Sequence, residues 1–267
     1  MHHIPTHGLG TFRLKDDVLK HSLKTGLDVG FRHIDTAQIY ENEREIGDIL
    51  QSLDYRRENL FLTSKIWTSN LSRSKLLDSL KQSLLDLKTD YLDLTLIHWP
   101  SPKNEVPLKE SLTELMHAKE QGLTKSIGIS NFTIDQVQEA ISIVGAENIA
   151  TNQIEVHPFL QNKKVIEECK KHGIKVTAYM PLAYGEVLKS DVIGEIAKKH
   201  NISNADVSLT WLLDQDLCII PSSTSEKHLR SNFNVEGGIL DAEDVENLEA
   251  LERNYRIANP DFAPKWD

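Results

Sequence analysis

Short apolar or β-branched runs alternate along this 267-residue chain with longer stretches of helical period, and that order limits its fold more than any other feature. Eight runs read as strands: Gly8 to Phe12, Phe31 to Asp35, Leu60 to Lys65, Leu92 to His98, Lys125 to Ser130, Ala150 to Glu155, Lys175 to Met180 and Cys218 to Pro221. Between them apolar residues recur three and four apart, as in Leu76, Leu77, Leu80, Leu84 and Leu87 before the fourth strand and Leu112, Leu115 and Met116 before the fifth. Asp16 and Ser72 stand where helix N-caps are expected. Gly30, Gly122 and Gly173 follow helical runs, where a left-handed backbone costs glycine least.

Strands joined through helices lie parallel, and eight of them can close into a ring that leaves no exposed edge. The competing open, doubly wound sheet announces itself by a glycine-rich phosphate loop after its first strand. Here Gly8-Leu9-Gly10-Thr11-Phe12-Arg13 lacks the third glycine. No further internal repeat and no Pro/Gly/Ser linker divides the chain. The expected fold is α/β, a single (β/α)8 TIM barrel over residues 1–267, with its active site at the C-terminal ends of the strands. The proline-rich loop Pro100 to Pro107 is expected at that mouth.

With 39% hydrophobic and 26% charged residues, and no apolar run near the ~18 residues a membrane span needs, the chain reads as a water-soluble globular protein. A formal net charge of −10 disfavours nucleic acid and anionic membranes as partners. Cys169 and Cys218 belong to no CxxC or CxxH spacing, so no metal and no redox pair is expected. The stretch Met1-His2-His3-Ile4-Pro5 has neither a basic segment nor an apolar core of a secretory leader, and the expected compartment is the cytoplasm.

A barrel interior should be apolar, so titratable residues at strand ends need an explanation. Three successive strands end in Asp35, Lys65 and His98, and the loop Thr36-Ala37-Gln38-Ile39-Tyr40 follows the second. Singly, each reads more readily as a structural residue: an ion pair, a satisfied core histidine, a rim tyrosine. Together at one mouth, a carboxylate, an ammonium, an imidazole and a phenol suit reduction of a carbonyl. Lys65 would stabilise the phenolate and make Tyr40 a better acid, Asp35 would hold Lys65, and His98 would orient the carbonyl oxygen and share in proton relay. No nucleophile sits beside a base and no HExxH motif is present, which disfavours acyl transfer and metal-dependent hydrolysis. Two other readings remain open: a catalytically silent barrel that binds a nicotinamide nucleotide as a regulatory subunit, and a barrel isomerase or aldolase in which Lys65 forms a Schiff base.

The stretches Gly30-Phe31-Arg32-His33-Ile34-Asp35-Thr36-Ala37 with Tyr40 and Glu43, Ser64-Lys65-Ile66-Trp67, and Asp93-Leu94-Thr95-Leu96-Ile97-His98-Trp99-Pro100 resemble the aldo-keto reductase family. The likeness runs from Gly8-Leu9-Gly10-Thr11 to Ile220-Pro221-Ser222-Ser223. It extends through Tyr179-Met180-Pro181-Leu182-Ala183-Tyr184-Gly185 to a bacterial subgroup that reduces diketogluconate, methylglyoxal and other small aldehydes. The resemblance implies Tyr40, Lys65, Asp35 and His98 as the catalytic set and NADPH as cofactor. Ser130, Asn131 and Gln153 would then bind the nicotinamide carboxamide, Tyr179 would stack on its ring, and Thr11 and Asp35 would face its ribose. Gly10, Leu182, Ser222, Ser223, Thr224, His228 and Asn232 would complete the cofactor site. Phe12, Trp67 and Trp99, beside Tyr40 and His98, would line the substrate pocket, with Trp266 covering it. The family tendency is a monomer with no obligate partner.

One departure bears on the cofactor. Many relatives carry lysine where Ser222 stands and arginine where His228 stands, both gripping the 2′-phosphate of NADPH, and without them weak discrimination against NADH is expected. No cationic residue is evident for a substrate carboxylate.

Overall fold

A computed structural model describes residues 3–53 and 55–267; Met1 and His2, at the head of the stretch read for a leader, lie outside the described residues. The chain order is β1 (Gly8–Gly10), α1 (Asp16–Val29), β2 (His33–Asp35), α2 (Glu43–Ser52), β3 (Phe61–Ile66), α3 (Leu76–Leu87), β4 (Leu92–Ile97), α4 (Leu108–Glu120), β5 (Thr124–Ser130), α5 (Ile134–Val144), β6 (Ile149–Glu155), α6 (Lys163–Lys171), β7 (Lys175–Tyr179), α7 (Asp191–His200), α8 (Asn204–Asp214), β8 (Cys218–Ile219), α9 (Glu226–Asn234) and α10 (Ala242–Glu249). Every strand read from the sequence is present, most of them shortened at an end.

The strands pair in parallel in the order β1 to β8. The ring is completed where the Ile219 amide donates to the Thr6 carbonyl at 2.8 Å and the Gly10 amide to the Pro221 carbonyl at 3.1 Å. A (β/α)8 barrel results. Outside it, α3 buries Leu76, Leu80, Leu84 and Leu87 on one face, as their spacing requires. Each leucine withdrawn from water in this way contributes about 2 kcal/mol.

Gly30, Gly122 and Gly173 take φ of 133°, 75° and 71°, in agreement with their place after helices. The two N-cap expectations need correction. Lys15, not Asp16, occupies the cap of α1, and the Asp16 amide is satisfied by Glu45 Oε2 at 2.9 Å. Ser72 lies one turn before α3, where its carbonyl accepts from the Lys75 and Leu76 amides while Lys75 takes the cap position.

The expectation of an apolar barrel interior is also corrected. Side chains two apart on a strand share a face, so beneath Asp35, Lys65, Gln153 and Tyr179 come His33, Thr63, Thr151 and Thr177. All four are buried, and they are tolerated because they pair: His33 Nε2 lies 2.9 Å from Thr63 Oγ1, and the hydroxyls of Thr151 and Thr177 are 3.0 Å apart. Burial pushes the His33 imidazole down to about 4, which keeps this layer uncharged at neutral pH.

Candidate active site

The ends of β2, β3 and β6 and the residue after β4 bring Asp35, Lys65, Gln153 and His98 together at the C-terminal mouth of the barrel. Lys65 is 1% exposed; its ammonium bonds the Asp35 carboxylate and, at 2.8 Å, the Thr36 carbonyl. The second Asp35 oxygen accepts from Gln153 Nε2 at 2.8 Å, and the Asp35 carbonyl accepts from the Thr11 hydroxyl at 2.9 Å. Tyr40 arrives on the single turn Gln38–Tyr40. Gln38 fastens that turn to the loop after β3 by accepting from the Trp67 amide at 2.9 Å and from Asn70 Nδ2 at 3.0 Å. The Tyr40 ring centroid then stands 5.0 Å from Lys65 Nζ and 5.7 Å from the His98 ring.

Burial pushes the Tyr40 phenol above its ordinary value, and the attraction and hydrogen bond of the Lys65 ammonium offset only part of that rise. Lys65 was expected to leave Tyr40 a stronger acid; desolvation of a phenolate in a narrow mouth outweighs it. Burial opposes the Lys65 charge as well, but Asp35 and Tyr40 together hold the ammonium above its ordinary value. Burial, and then Lys65, press His98 well below the usual imidazole range, so its ring is neutral. Among the described residues no group hydrogen-bonds either ring nitrogen of His98, and Nδ1 is wholly enclosed. An enclosed N–H without an acceptor costs more than an enclosed lone pair, which puts the proton on Nε2, free to donate to a carbonyl.

Asp35, Tyr40, His98 and Gln153 line one cavity of about 630 Å³, and Lys65, bonded to Asp35, is not part of its lining. Of the residues read as cofactor ligands, Gly10, Thr11, Asp35, Ser130 and Asn131 border it, as do Gln153, Tyr179, Leu182 and Ser222. The amides are pre-arranged: Asn131 Oδ1 accepts from the Tyr179 hydroxyl at 2.6 Å, and Asn131 Nδ2 donates to the His98 carbonyl at 3.0 Å and to Ser130 Oγ at 3.1 Å. Asn131 reaches this position through a left-handed backbone, φ 63°, that asparagine adopts at little cost. Ser223, Thr224, His228 and Asn232 do not border the cavity. Thr224 and His228 are exposed at the start of α9, Asn232 is buried on that helix, and the Ser223 hydroxyl accepts from the Ser225 amide at 3.1 Å.

Phe12, Trp67 and Trp99 border the cavity, but Trp266 does not. Its place is taken by Phe262, whose ring stands 5.8 Å from Trp67 and 5.7 Å from Trp99, while Trp266 packs on Arg256 at 3.7 Å. The loop Pro100 to Pro107 borders a neighbouring cavity instead, and only Trp99 before it reaches the site. Arg13, not read as a site residue, borders the cavity, stacked between Phe12 and Tyr184 at 5.1 Å from each ring. A basic residue directly after Phe12 was the available signal; its direction depended on a left-handed φ of 65°. Among the described residues no group of three or more His, Cys, Asp or Glu side chains is placed to hold a metal, and no helix is long and apolar enough to cross a membrane.

A parallel eight-stranded barrel with this polar set at its mouth defines a class, and the comparison with known families agrees: residues 6–253 match the aldo/keto reductase family, and the chain belongs to it. It is an oxidoreductase. Over 265 residues, and 99% of both chains, it is 54% identical to methylglyoxal reductase DkgB of Escherichia coli O157:H7. It is 35% identical to glyoxal reductase of Bacillus subtilis (strain 168), over 97% of this chain and 93% of the other. A crystal structure assigned as a 2,5-diketo-D-gluconic acid reductase B superposes with a TM-score of 0.94 at 38% identity, covering 99% of this chain and 94% of that one.

Proposed function

We propose that this protein, acting as one barrel unit, reduces the carbonyl of small aldehydes, dicarbonyls or keto sugars to the alcohol, with NADPH as reductant and Tyr40 as general acid. The observation that carries this reading is Lys65, sealed from solvent and bonded to the Asp35 carboxylate, with its ammonium 5.0 Å from the centre of the Tyr40 ring that borders the cavity. A nicotinamide fits the donor set: Asn131 and Gln153 offer amides to its carboxamide, Ser130 a hydroxyl and Tyr179 a flat ring, all bordering one space. Bound there, the cofactor supplies hydride to the carbonyl carbon. His98 Nε2–H orients the carbonyl oxygen, Tyr40 gives it a proton, and Lys65, held charged by Asp35, stabilises the phenolate left behind. Phe12, Trp67, Trp99 and Phe262 give the mouth aromatic walls suited to a short carbonyl compound, and the printed activities of the relatives, methylglyoxal and glyoxal reduction, agree with that size. The cytoplasm is its proposed compartment, consistent with two free, buried cysteines.

The phosphate end of the cofactor falls to Ser222, Ser223 and Thr224 ahead of α9, with His228 and Asn232 on the helix. Arg230 is already paired with Glu226 at 2.7 Å, which leaves the exposed Lys227, with no ion-pair partner among the described residues, as the cation near a 2′-phosphate. We expect kcat/KM for NADPH to exceed that for NADH by less than about a thousandfold, because hydroxyls and an imidazole replace bidentate guanidinium recognition. A larger ratio contradicts this account of the site.

The charge states also set a pH dependence. Tyr40 must be protonated to act, and its pKa is raised; His98 must be neutral, and its pKa is lowered. Hence kcat/KM should be level across the neutral range, falling on the alkaline side above the ~10 of a free phenol and on the acid side only well below the ~6.5 of a free imidazole. A decline centred between pH 7 and 8, roughly where neither group titrates, goes against these assignments.

The direct test follows NADPH consumption by absorbance with methylglyoxal, 2,5-diketogluconate and an aromatic aldehyde. Turnover of at least one is expected. No turnover of any, or borohydride trapping of a substrate on Lys65, overturns the reading.

A further inference from the structure

Glu155, the last residue of β6, is fully buried yet takes no part in the polar floor of the site. Its carboxylate faces the C-terminal segment instead. The Ile257 amide donates to one oxygen at 2.9 Å, the Ala258 amide donates to the other at 2.8 Å, and the His157 imidazole shares the first at 2.9 Å. The Glu155 carbonyl accepts from Asn162 Nδ2 at 2.7 Å, and Asn162 Oδ1 accepts from the Arg256 guanidinium at 3.1 Å. Three consecutive residues, 256 to 258, are thus fastened to the end of one barrel strand. Burying a carboxylate is costly, and here two backbone N–H groups and an imidazole offset that cost.

Beyond this clamp the chain has no helix or strand. Ala258, Pro260 and Phe262 form one wall of the active-site cavity, and the stretch 261–265 borders a second cavity of about 820 Å³. The segment is therefore a partition with open space on both sides. At its far end the Asp267 carboxylate accepts from the Ile134 amide at the start of α5, at 3.1 and 3.3 Å. A wall with so little packing behind it stands where its end attachments hold it.

We propose that Glu155 is a positioning residue for substrate selection: by clamping the Ile257 and Ala258 amides it fixes the Phe262 wall, and so sets which carbonyl compounds fit without touching the reacting atoms. The substrate readout rests on the proposed reductase function; the clamp itself does not. In Glu155→Gln the side-chain NH2 is turned toward a backbone N–H, so two donors face each other where a donor and an acceptor stood.

The test combines hydrogen–deuterium exchange with steady-state kinetics on the full chain. Glu155→Gln is expected to speed exchange of the Ile257 and Ala258 amides by about tenfold or more. It should raise KM for an aromatic aldehyde about tenfold while changing kcat for methylglyoxal less than about threefold. In a Phe262→Ala background the same substitution should raise that KM by less than about threefold, since its effect passes through the wall already removed. Ala258→Pro, which deletes one donor from the segment rather than from the barrel, should reproduce the faster exchange at Ile257 and serves if Glu155→Gln does not fold. Unchanged exchange at Ile257, or a KM rise undiminished by Phe262→Ala, overturns the proposal. Exchange is read without turnover, so a failure of the reductase reading leaves that result standing.

Discussion

Tyr40→Phe is expected to lower kcat for methylglyoxal by about a hundredfold to ten-thousandfold, the usual worth of a positioned general acid. The substitution removes one oxygen from a ring held by a tilted contact with Phe12 and an edge contact with His98, so the fold and the cavity wall should survive it. NADPH affinity, followed by quenching of tryptophan fluorescence, should change little, because the groups offered to the nicotinamide lie on β5, β6 and β7. A loss confined to kcat marks an interaction made only in the transition state; a loss confined to KM marks ordinary substrate binding. Full activity in the variant ends the mechanism.

The second large effect concerns Lys65 and acts on both rate and stability. Lys65→Met removes the ammonium from beside the phenol and leaves the Asp35 carboxylate, 2% exposed, with Gln153 as its one side-chain partner among the described residues. Stripping one partner from a buried ion pair costs about 3–5 kcal/mol, which should appear as a lower urea midpoint. Turnover should fall by about a hundredfold or more, since the phenolate then forms unsupported. The double variant Asp35→Asn/Lys65→Met separates the two roles. It should recover much of the stability, because no unpaired charge stays buried, and none of the rate. Recovery of rate together with stability would make Lys65 a structural residue only.

Much of this site was legible in the sequence because a parallel barrel brings the ends of all its strands to one face. Asp35, Lys65 and His98 could be placed together from strand order alone, without any side-chain geometry. Tyr40 could be placed because it follows β2 by only a few residues. The segment that walls the pocket was not legible. Residues 252–267 have no hydrophobic period, and Phe262 reaches Trp67 and Trp99 through a clamp at Glu155 that is distant along the chain. Trp266 drew attention by size, yet size does not tell which ring of an irregular tail faces inward. Arg13 and Tyr184 meet because each has a positive φ, 65° and 50°, which residue identity does not announce outside glycine and asparagine. The raised pKa of Tyr40 was hidden for another reason. The attraction of Lys65 can be read from the motif, whereas the desolvation that exceeds it depends on how tightly the mouth closes.

The central claim is spatial: the Tyr40 phenol, backed by Lys65, and the hydride-bearing carbon of a nicotinamide share one cavity. The most direct measurement is a crystal structure with NADPH bound, from which the distance between Tyr40 Oη and nicotinamide C4 is read. A carbonyl hydrogen-bonded to the phenol and in attack range of C4 places those two atoms about 4–5 Å apart, with the ring against Tyr179. A nicotinamide outside this cavity, or a separation beyond about 8 Å, too long for one carbonyl to span, would contradict the account.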